Sequence, residues 1–173
     1  MVKDVSKWTA QQIEIAVVRH FDMRRNLCIP NVSWGFFHNH EADLLIVTNN
    51  DWCSEVEIKV SAQDIKKDMG KKHGHKEPQL KYLWFAVPEE LSGHADIPDH
   101  AGILSCSKFW DYKKRRRYSV KRIRLPKADK EARKITEKER ADLMRLGCLR
   151  IWMLKEKLDG YSYHKEKNKR GKK

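Results

Sequence analysis

The chain has 173 residues, with 37 Lys+Arg against 24 Asp+Glu and a formal net charge of +13. Hydrophobic residues make up 40% of it, and six Trp, five Phe and five Tyr argue against a disordered polyelectrolyte, a class poor in aromatics. The longest unbroken apolar run, Tyr82–Val87, is far short of the roughly 20 residues of a membrane-spanning helix, and the first dozen residues lack the apolar core of a secretory signal, so a cytoplasmic protein is expected.

Thr9 is placed to cap a helix running to about Arg25, with Gln12 completing a capping box and Ile13, Ala16, Val17 and Phe21 at helical spacing. Pro30 and Asn31 then break the chain, and Val32–Phe37 alternates as a strand does. Asp43–Asn49 reads as a buried strand closed by a turn at Asn50–Asp51. Cys53–Val60 alternates strictly, with Glu55, Glu57 and Lys59 on one face and Val56, Ile58 and Val60 on the other. Ser61 caps a short helix, Ala62–Gly70, which runs into a basic loop, KKHGHKEP. Tyr82–Val87 has the composition of a fully buried strand, Pro88–His100 reads mostly as loop, and Ala101–Ser107 as another strand. Arg115–Leu125 mixes β-formers with Arg and Lys, as a charged edge strand does. Thr136 and Glu139 form a second capping box, opening a helix to about Leu158. Its stripe of Leu143, Leu146, Leu149, Trp152, Met153 and Leu154 is expected in the core. The tail Ser162–Lys173 is expected to be disordered.

The element order, helix, three strands, helix, strand, predicts an α/β fold around one sheet. The charge divides it. Residues 1–112 hold 13 Lys+Arg against 16 Asp+Glu, and residues 113–173 hold 24 against 8. The expected organisation is a core over 1–112, a basic strand-plus-helix extension over 113–161 packing on it, and a basic tail over 162–173. So lopsided a charge points to a polyanion, because each neutralised phosphate releases condensed counterions. The plainer alternative is a solvated lysine-rich surface. Lys66, Lys67, Lys71, Lys72, Arg115, Arg116, Arg117, Lys121 and Arg122 are the expected phosphate contacts. The four cysteines stand far apart, and neither His38/His40 nor His73/His75 has the spacing of a zinc module.

Chemistry concentrates on the third strand. Glu57 and Lys59 project from one side of it, and Asp43 heads the strand before. Asp43 and Glu57 could offer hard oxygen ligands to a divalent ion, with the Ile58 carbonyl a third. Such an ion would polarise a phosphoryl oxygen and lower the pKa of a bound water, while Lys59 orients that water or stabilises developing charge. An acid two residues before a lysine occurs three times, at Glu57–Lys59, Asp64–Lys66 and Asp111–Lys113. The first alone lies in an alternating apolar strand with another acid heading the preceding one. A solvated strand face carrying alternating charges is the competing reading. Glu55 shares that face and could be a third acid there, with exposure at the strand's start the expected reading.

The segments EADLLIV (Glu41–Val47) and EVEIKVS (Glu55–Ser61) resemble the PD-(D/E)xK nuclease superfamily, and LWFAVPEEL (Leu83–Leu91) resembles its MmcB-like DNA-repair branch. The likeness covers roughly residues 9–107. It implies a restriction-endonuclease-like αβββαβ core with a central mixed sheet flanked by helices. It also implies a Mg²⁺- or Mn²⁺-dependent deoxyribonuclease, an endonuclease by expectation, in which Asp43, Glu57 and Lys59 are the motif residues and Glu14 on the first helix is an accessory metal ligand. The first motif reads Glu-Ala-Asp in place of Pro-Asp, which leaves the ligand intact. A Gln-x-x-x-Tyr element of some exonuclease branches is absent, since Gln79 and Tyr82 have the wrong spacing. DNA is the expected partner, with RNA also open, and a homodimer would suit cutting of both strands. Two rival readings stand beside this one: a non-catalytic nucleic-acid-binding module on the same fold, and a protein whose basic tail binds an acidic protein.

Overall fold

A computed structural model describes residues 2–4, 6–33, 41–69 and 77–160. The chain is α/β, built on a seven-stranded mixed sheet. In chain order the elements are β1 (Val2–Lys3), α1 (Ala10–His20), β2 (Leu27–Val32), β3 (Ala42–Val47), β4 (Cys53–Ile58), α2 (Ala62–Met69), β5 (Leu80–Pro88), β6 (Gly102–Trp110), β7 (Arg116–Arg124) and α3 (Glu137–Asp159), with a 3₁₀ turn at Glu89–Leu91. Two compact units result, residues 1–136 and 137–173. β7, assigned to the extension by its charge, is a strand of the first unit's sheet.

β2, β3 and β4 form an antiparallel meander, β4, β5 and β6 run parallel, and β7 returns antiparallel on β6. Between the parallel strands β4 and β5 the chain passes through α2, as a parallel connection requires a crossover. β1 pairs with the last two residues of β6.

Each face of the sheet has its own core. On one, α1 lays Ile13 and Val17 against Leu44, Ile46, Val56, Trp84, Ala86, Leu104 and Cys106. The Thr9 cap is as expected, its hydroxyl accepting from the Gln12 amide at 3.3 Å and the Gln12 side chain accepting from the Thr9 amide at 3.3 Å. The helix stops at His20, and Asp22, at φ 50°, turns the chain before β2. On the other face Ile65 of α2 meets Leu83, Phe85, Val87, Ile97, Ala101 and Ile103. Gly102 opens β6 where a Cβ would stand 2.4 Å from the Trp84 ring, so a glycine is what lets that indole lie flat against the strand.

Three sequence expectations are corrected. Pro30 and Asn31 do not break the chain: they lie inside β2, Pro30 opposite Leu44, because β2 is an outer strand where a missing N–H costs no ladder bond. The strand expected over Val32–Phe37 therefore lies earlier, and residues 34–37 fall outside the described residues. The stripe on α3 is not core. Met144, Leu149, Ile151, Trp152, Met153, Leu154 and Leu158 are each more than half exposed, and Leu143 is the buried residue of that helix. Residues 151–154 are apolar in succession, which wraps the apolar surface around the helix so that no single face could cover it. The tail from residue 161 and the loop over 70–76, with Lys71, Lys72, His73 and His75, lie outside the described residues. The charged strand is as read: β7 sits at the sheet's edge, and Arg116, Arg117, Lys121 and Arg122 are exposed.

Candidate functional site on strands β3 and β4

β3 and β4 are in antiparallel register with Leu44 opposite Val56, so continuing by one residue sets Asp43 opposite Glu57. Side chains on alternate positions share a face, and Asp43, Glu55, Glu57 and Lys59 accordingly fall on the side away from α1. That side is not the solvated face weighed above. Glu55 and Glu57 are fully buried, and Lys59 is 7% exposed. The cover comes from β5, whose Leu83 and Phe85 stand beside Glu55 and Glu57 in the parallel register, and from Ile65 on α2. Glu55, expected at the surface, is corrected with them.

The geometry grades from water to interior. The Asp43 carboxylate is 41% exposed and accepts a hydrogen bond from the Ile58 amide at 2.8 Å. Lys59 places its Nζ 3.9 Å from Asp43 Oδ2 and in direct contact with Glu57 Oε2. Its amide donates to the Ala86 carbonyl at 3.1 Å, and its ammonium lies 6.0 Å from the centre of the Phe85 ring. Burial pushes the Glu57 carboxyl up to about 7; Lys59 opposes this, while Asp43 and Glu55 reinforce it. Half-buried Glu14, on α1, is also shifted upward, by burial first and by the Asp43 charge second. Glu14 therefore feels the same cluster from the helix.

Of the four residues singled out as catalytic, Asp43, Glu57 and Lys59 are thus brought together, with Glu55 on the same face, while Glu14 on α1 is tied to them only through the charge of Asp43. Their donors are hard carboxylate oxygens, the chemistry that suits Mg²⁺ or Mn²⁺. The upward shifts of Glu14 and Glu57 both have burial as their first cause, with the Asp43 charge adding to it. The convergence is not ready-made, for among the described residues no three His, Cys, Asp or Glu side chains form a group that could hold a metal ion. Lys59 stands where the carboxylates would otherwise meet.

The expected phosphate contacts divide. Lys66 and Lys67 are exposed on α2. Arg115 and Arg117 each donate through Nε to Asp111 Oδ2 at 3.0 Å, and Arg116 donates to Asp4 at 2.8 Å while lying 5.1 Å from the centre of the Trp110 ring. Lys121 faces with Arg117, on alternate positions of β7, and Arg122 faces with Arg116, so the basic strand presents two distinct rows. Sequence reasoning missed Lys108, 2% exposed, whose ammonium donates to the Lys7 carbonyl at 2.9 Å and sits 4.7 Å from the Trp8 ring. A cavity of about 260 Å³ lies beside it, lined by Asp4, Ser6, Trp8, Glu89, Glu90, Cys106, Ser107 and Lys108. Nothing in the strand's alternation distinguishes that lysine from an exposed one. Among the described residues, no helix is long and apolar enough to cross a membrane.

No family model matches the chain, and no curated protein does. A solved structure described as SPO1766 protein of unknown function from Silicibacter pomeroyi is similar in fold, with a TM-score of 0.61 at 17% identity, over 92% of this chain and 98% of that one. At that identity the likeness is one of fold alone.

Proposed function

We propose that this chain is a metal-dependent nuclease of the PD-(D/E)xK type, hydrolysing DNA phosphodiester bonds in repair, recombination or phage DNA processing. The observation that carries the reading is the buried Glu57–Lys59 pair on β4, with Asp43 beside it on β3. Withdrawing ions from water costs several kcal/mol each, and apolar side chains of similar volume are often as stable or more so. Stability alone gives no reason for charges at these positions; chemistry does. The order α1, β2–β4, α2, β5 agrees with the αβββαβ core that the resemblance implies.

Asp43, Glu57, the Ile58 carbonyl and Glu14 would hold Mg²⁺ or Mn²⁺. When bound, the ion would supply Lewis-acid polarisation of a phosphoryl oxygen and a lowered pKa for water. The protein's own part is positional. Asp43 is oriented by the Ile58 amide, and Lys59 is anchored through its backbone on β5. The Lys59 ammonium, beside both carboxylates, is placed to stabilise charge developing on the phosphoryl oxygens. The β5 wall of Leu83 and Phe85 limits water around Glu57, which strengthens each of these interactions.

A second reading, a non-catalytic nucleic-acid-binding module, has one observation in its favour: Lys59 already compensates the carboxylates. The experiment that separates them is a cleavage panel in Mg²⁺ and Mn²⁺ over linear, circular, nicked and branched DNA, with Asp43→Asn, Glu57→Gln and Lys59→Ala beside the parent. Each variant is expected to lose cleavage and keep DNA binding. A variant that cuts at the parental rate removes its residue from the mechanism. A parent that binds DNA but neither cuts it nor takes up Mn²⁺ by calorimetry favours the module instead.

A further inference from the structure

The β6–β7 hairpin carries a second feature, separate from the acids on β3 and β4. Its turn presents Tyr112, 86% exposed, two residues after Trp110, 37% exposed, and is followed by five consecutive cations, Lys113, Lys114, Arg115, Arg116 and Arg117. Single exposed aromatics are ordinary. What sets this one apart is that the turn beneath it is fixed. Asp111 accepts from the Lys113 and Arg115 amides at 2.8 and 2.9 Å and from Nε of Arg115 and Arg117 at 3.0 Å each, while its own amide donates to the Arg115 carbonyl at 2.9 Å. Lys114, at φ 56°, takes the left-handed position that closes the turn.

One carboxylate oxygen thus aligns two guanidinium groups side by side along β7. The bonds use Nε and leave the paired Nη groups of both arginines, 55% and 44% exposed, as forked donors of the shape that matches a phosphate. On the aromatic side, the Lys113 ammonium lies 5.5 Å from the Tyr112 ring centre. A planar ring held clear of the surface, next to pre-aligned guanidinium groups, fits an unpaired nucleobase and its flanking phosphates. A paired base inside a duplex offers no free face to stack on.

We infer that the β6–β7 hairpin is a stacking platform for single-stranded nucleic acid, with Tyr112 taking a base and Arg115 and Arg117 the adjoining phosphates. As the substrate class of the site on β3 and β4, this rests on the nuclease reading: a strand with an unpaired segment, such as a flap or an open junction. The pairing of Glu57 with Phe85 and of Phe85 with Ile103 puts Ile103 level with Glu57, two strands away. Trp110 lies seven residues further along β6, so the platform stands roughly 25 Å from Glu57 at strand spacings of ~3.3 and ~4.8 Å. That span corresponds to about seven nucleotides at duplex rise, fewer in a stretched strand.

The test is binding, in EDTA, of a short labelled oligonucleotide to the full chain by fluorescence anisotropy, as a single strand and as a blunt duplex, in DNA and RNA forms. Tyr112→Ala is expected to weaken single-strand binding on the order of tenfold, with Tyr112→Phe near the parent and blunt-duplex binding unchanged. Asp111→Ala frees the arginines and adds a unit of positive charge. A merely electrostatic surface would bind more tightly after that change, whereas a pre-set platform binds the single strand more weakly. Parental single-strand affinity in Tyr112→Ala, equal losses on single strand and duplex, or tighter binding by Asp111→Ala each overturns the proposal. A DNA–RNA difference assigns the natural strand. Because no metal is present, the outcome stands whether or not the parent cleaves DNA, and a failed cleavage panel leaves it untouched.

Discussion

Glu57 and Asp111 are both carboxylates with cationic side chains against them, yet burial pushes the first up to about 7 while the second is pulled down to about 2. Glu57 has one ammonium and two neighbouring acids in a place closed by Leu83, Phe85 and Ile65. Asp111, its side chain 11% exposed, has the Arg115 amide foremost, then the Arg117 and Arg115 side chains and the Lys113 amide, and together these outweigh its own desolvation. A neighbouring cation therefore does not decide the shift. What decides it is how many N–H groups reach the carboxylate, set against the cost of its burial. The interior group is held at a cost to the fold, and the turn group shapes the fold around it.

The largest break of this comparison is Lys59→Met. It leaves Glu57 buried without its partner and is expected to cost ~3–5 kcal/mol in urea unfolding above about pH 7, the range for a broken buried pair. The loss should shrink at lower pH as Glu57 takes up its proton. Adding Glu57→Leu should recover most of it. If the double variant is as unstable as the single one, the pair is not the unit described.

Next comes Glu57→Gln. The folded pKa of Glu57 lies above its unfolded value, so its favourable contribution is full below about 4.5 and is lost as pH rises through about 7. The melting temperature of the variant relative to the parent should therefore climb between about pH 5 and about pH 8. A flat difference would place the Glu57 proton elsewhere. Asp111→Asn tests the opposite sign. A depressed pKa contributes above the ordinary value of 3.8 and is lost as pH falls through about 2, so parent and variant should converge in strong acid. That effect is smaller and fades with salt, because the arginines that pair with Asp111 are themselves exposed. The mildest test concerns the thiols, where burial pushes Cys28 up to about 11 and Cys106 up to about 12, while Cys148 is exposed. Alkylation near neutral pH, followed by mass spectrometry, should mark Cys148 well before Cys28, Cys53 and Cys106.

Much of this was legible in the chain's periodicities. The alternation of Cys53–Val60 correctly put Glu55, Glu57 and Lys59 on one face, and the Thr9 and Ser61 caps opened helices where expected. Alternation says which residues share a face, though, and not what lies over it. The cover of Glu57 comes from Phe85 and Ile65, 28 and eight positions away along the chain, and no local pattern announces it. The same limit explains the stripe on α3, where apolar residues at helical spacing were read as core without knowing what faces them. Pro30 misled for a different reason: a proline breaks an inner strand but sits comfortably on an outer one, and strand position is a property of the whole sheet. Tyr112 went unnoticed because one aromatic in a basic turn has no period to betray it. Asp111 beside Tyr112, a turn-forming acid with arginines four and six residues on, was the available signal.

The two outer strands have a consequence for self-association. On β2 Pro30 supplies no backbone N–H, and on β7 Arg116, Arg117, Lys121, Arg122 and Arg124 set cations along the opposite margin. Two copies meeting about a two-fold axis through β7 would bring like charges face to face, and a meeting through β2 would interrupt the ladder. Growth of the sheet from one molecule into the next is thereby discouraged at both ends. A pairing of copies through another surface would leave both sheet margins exposed to solvent.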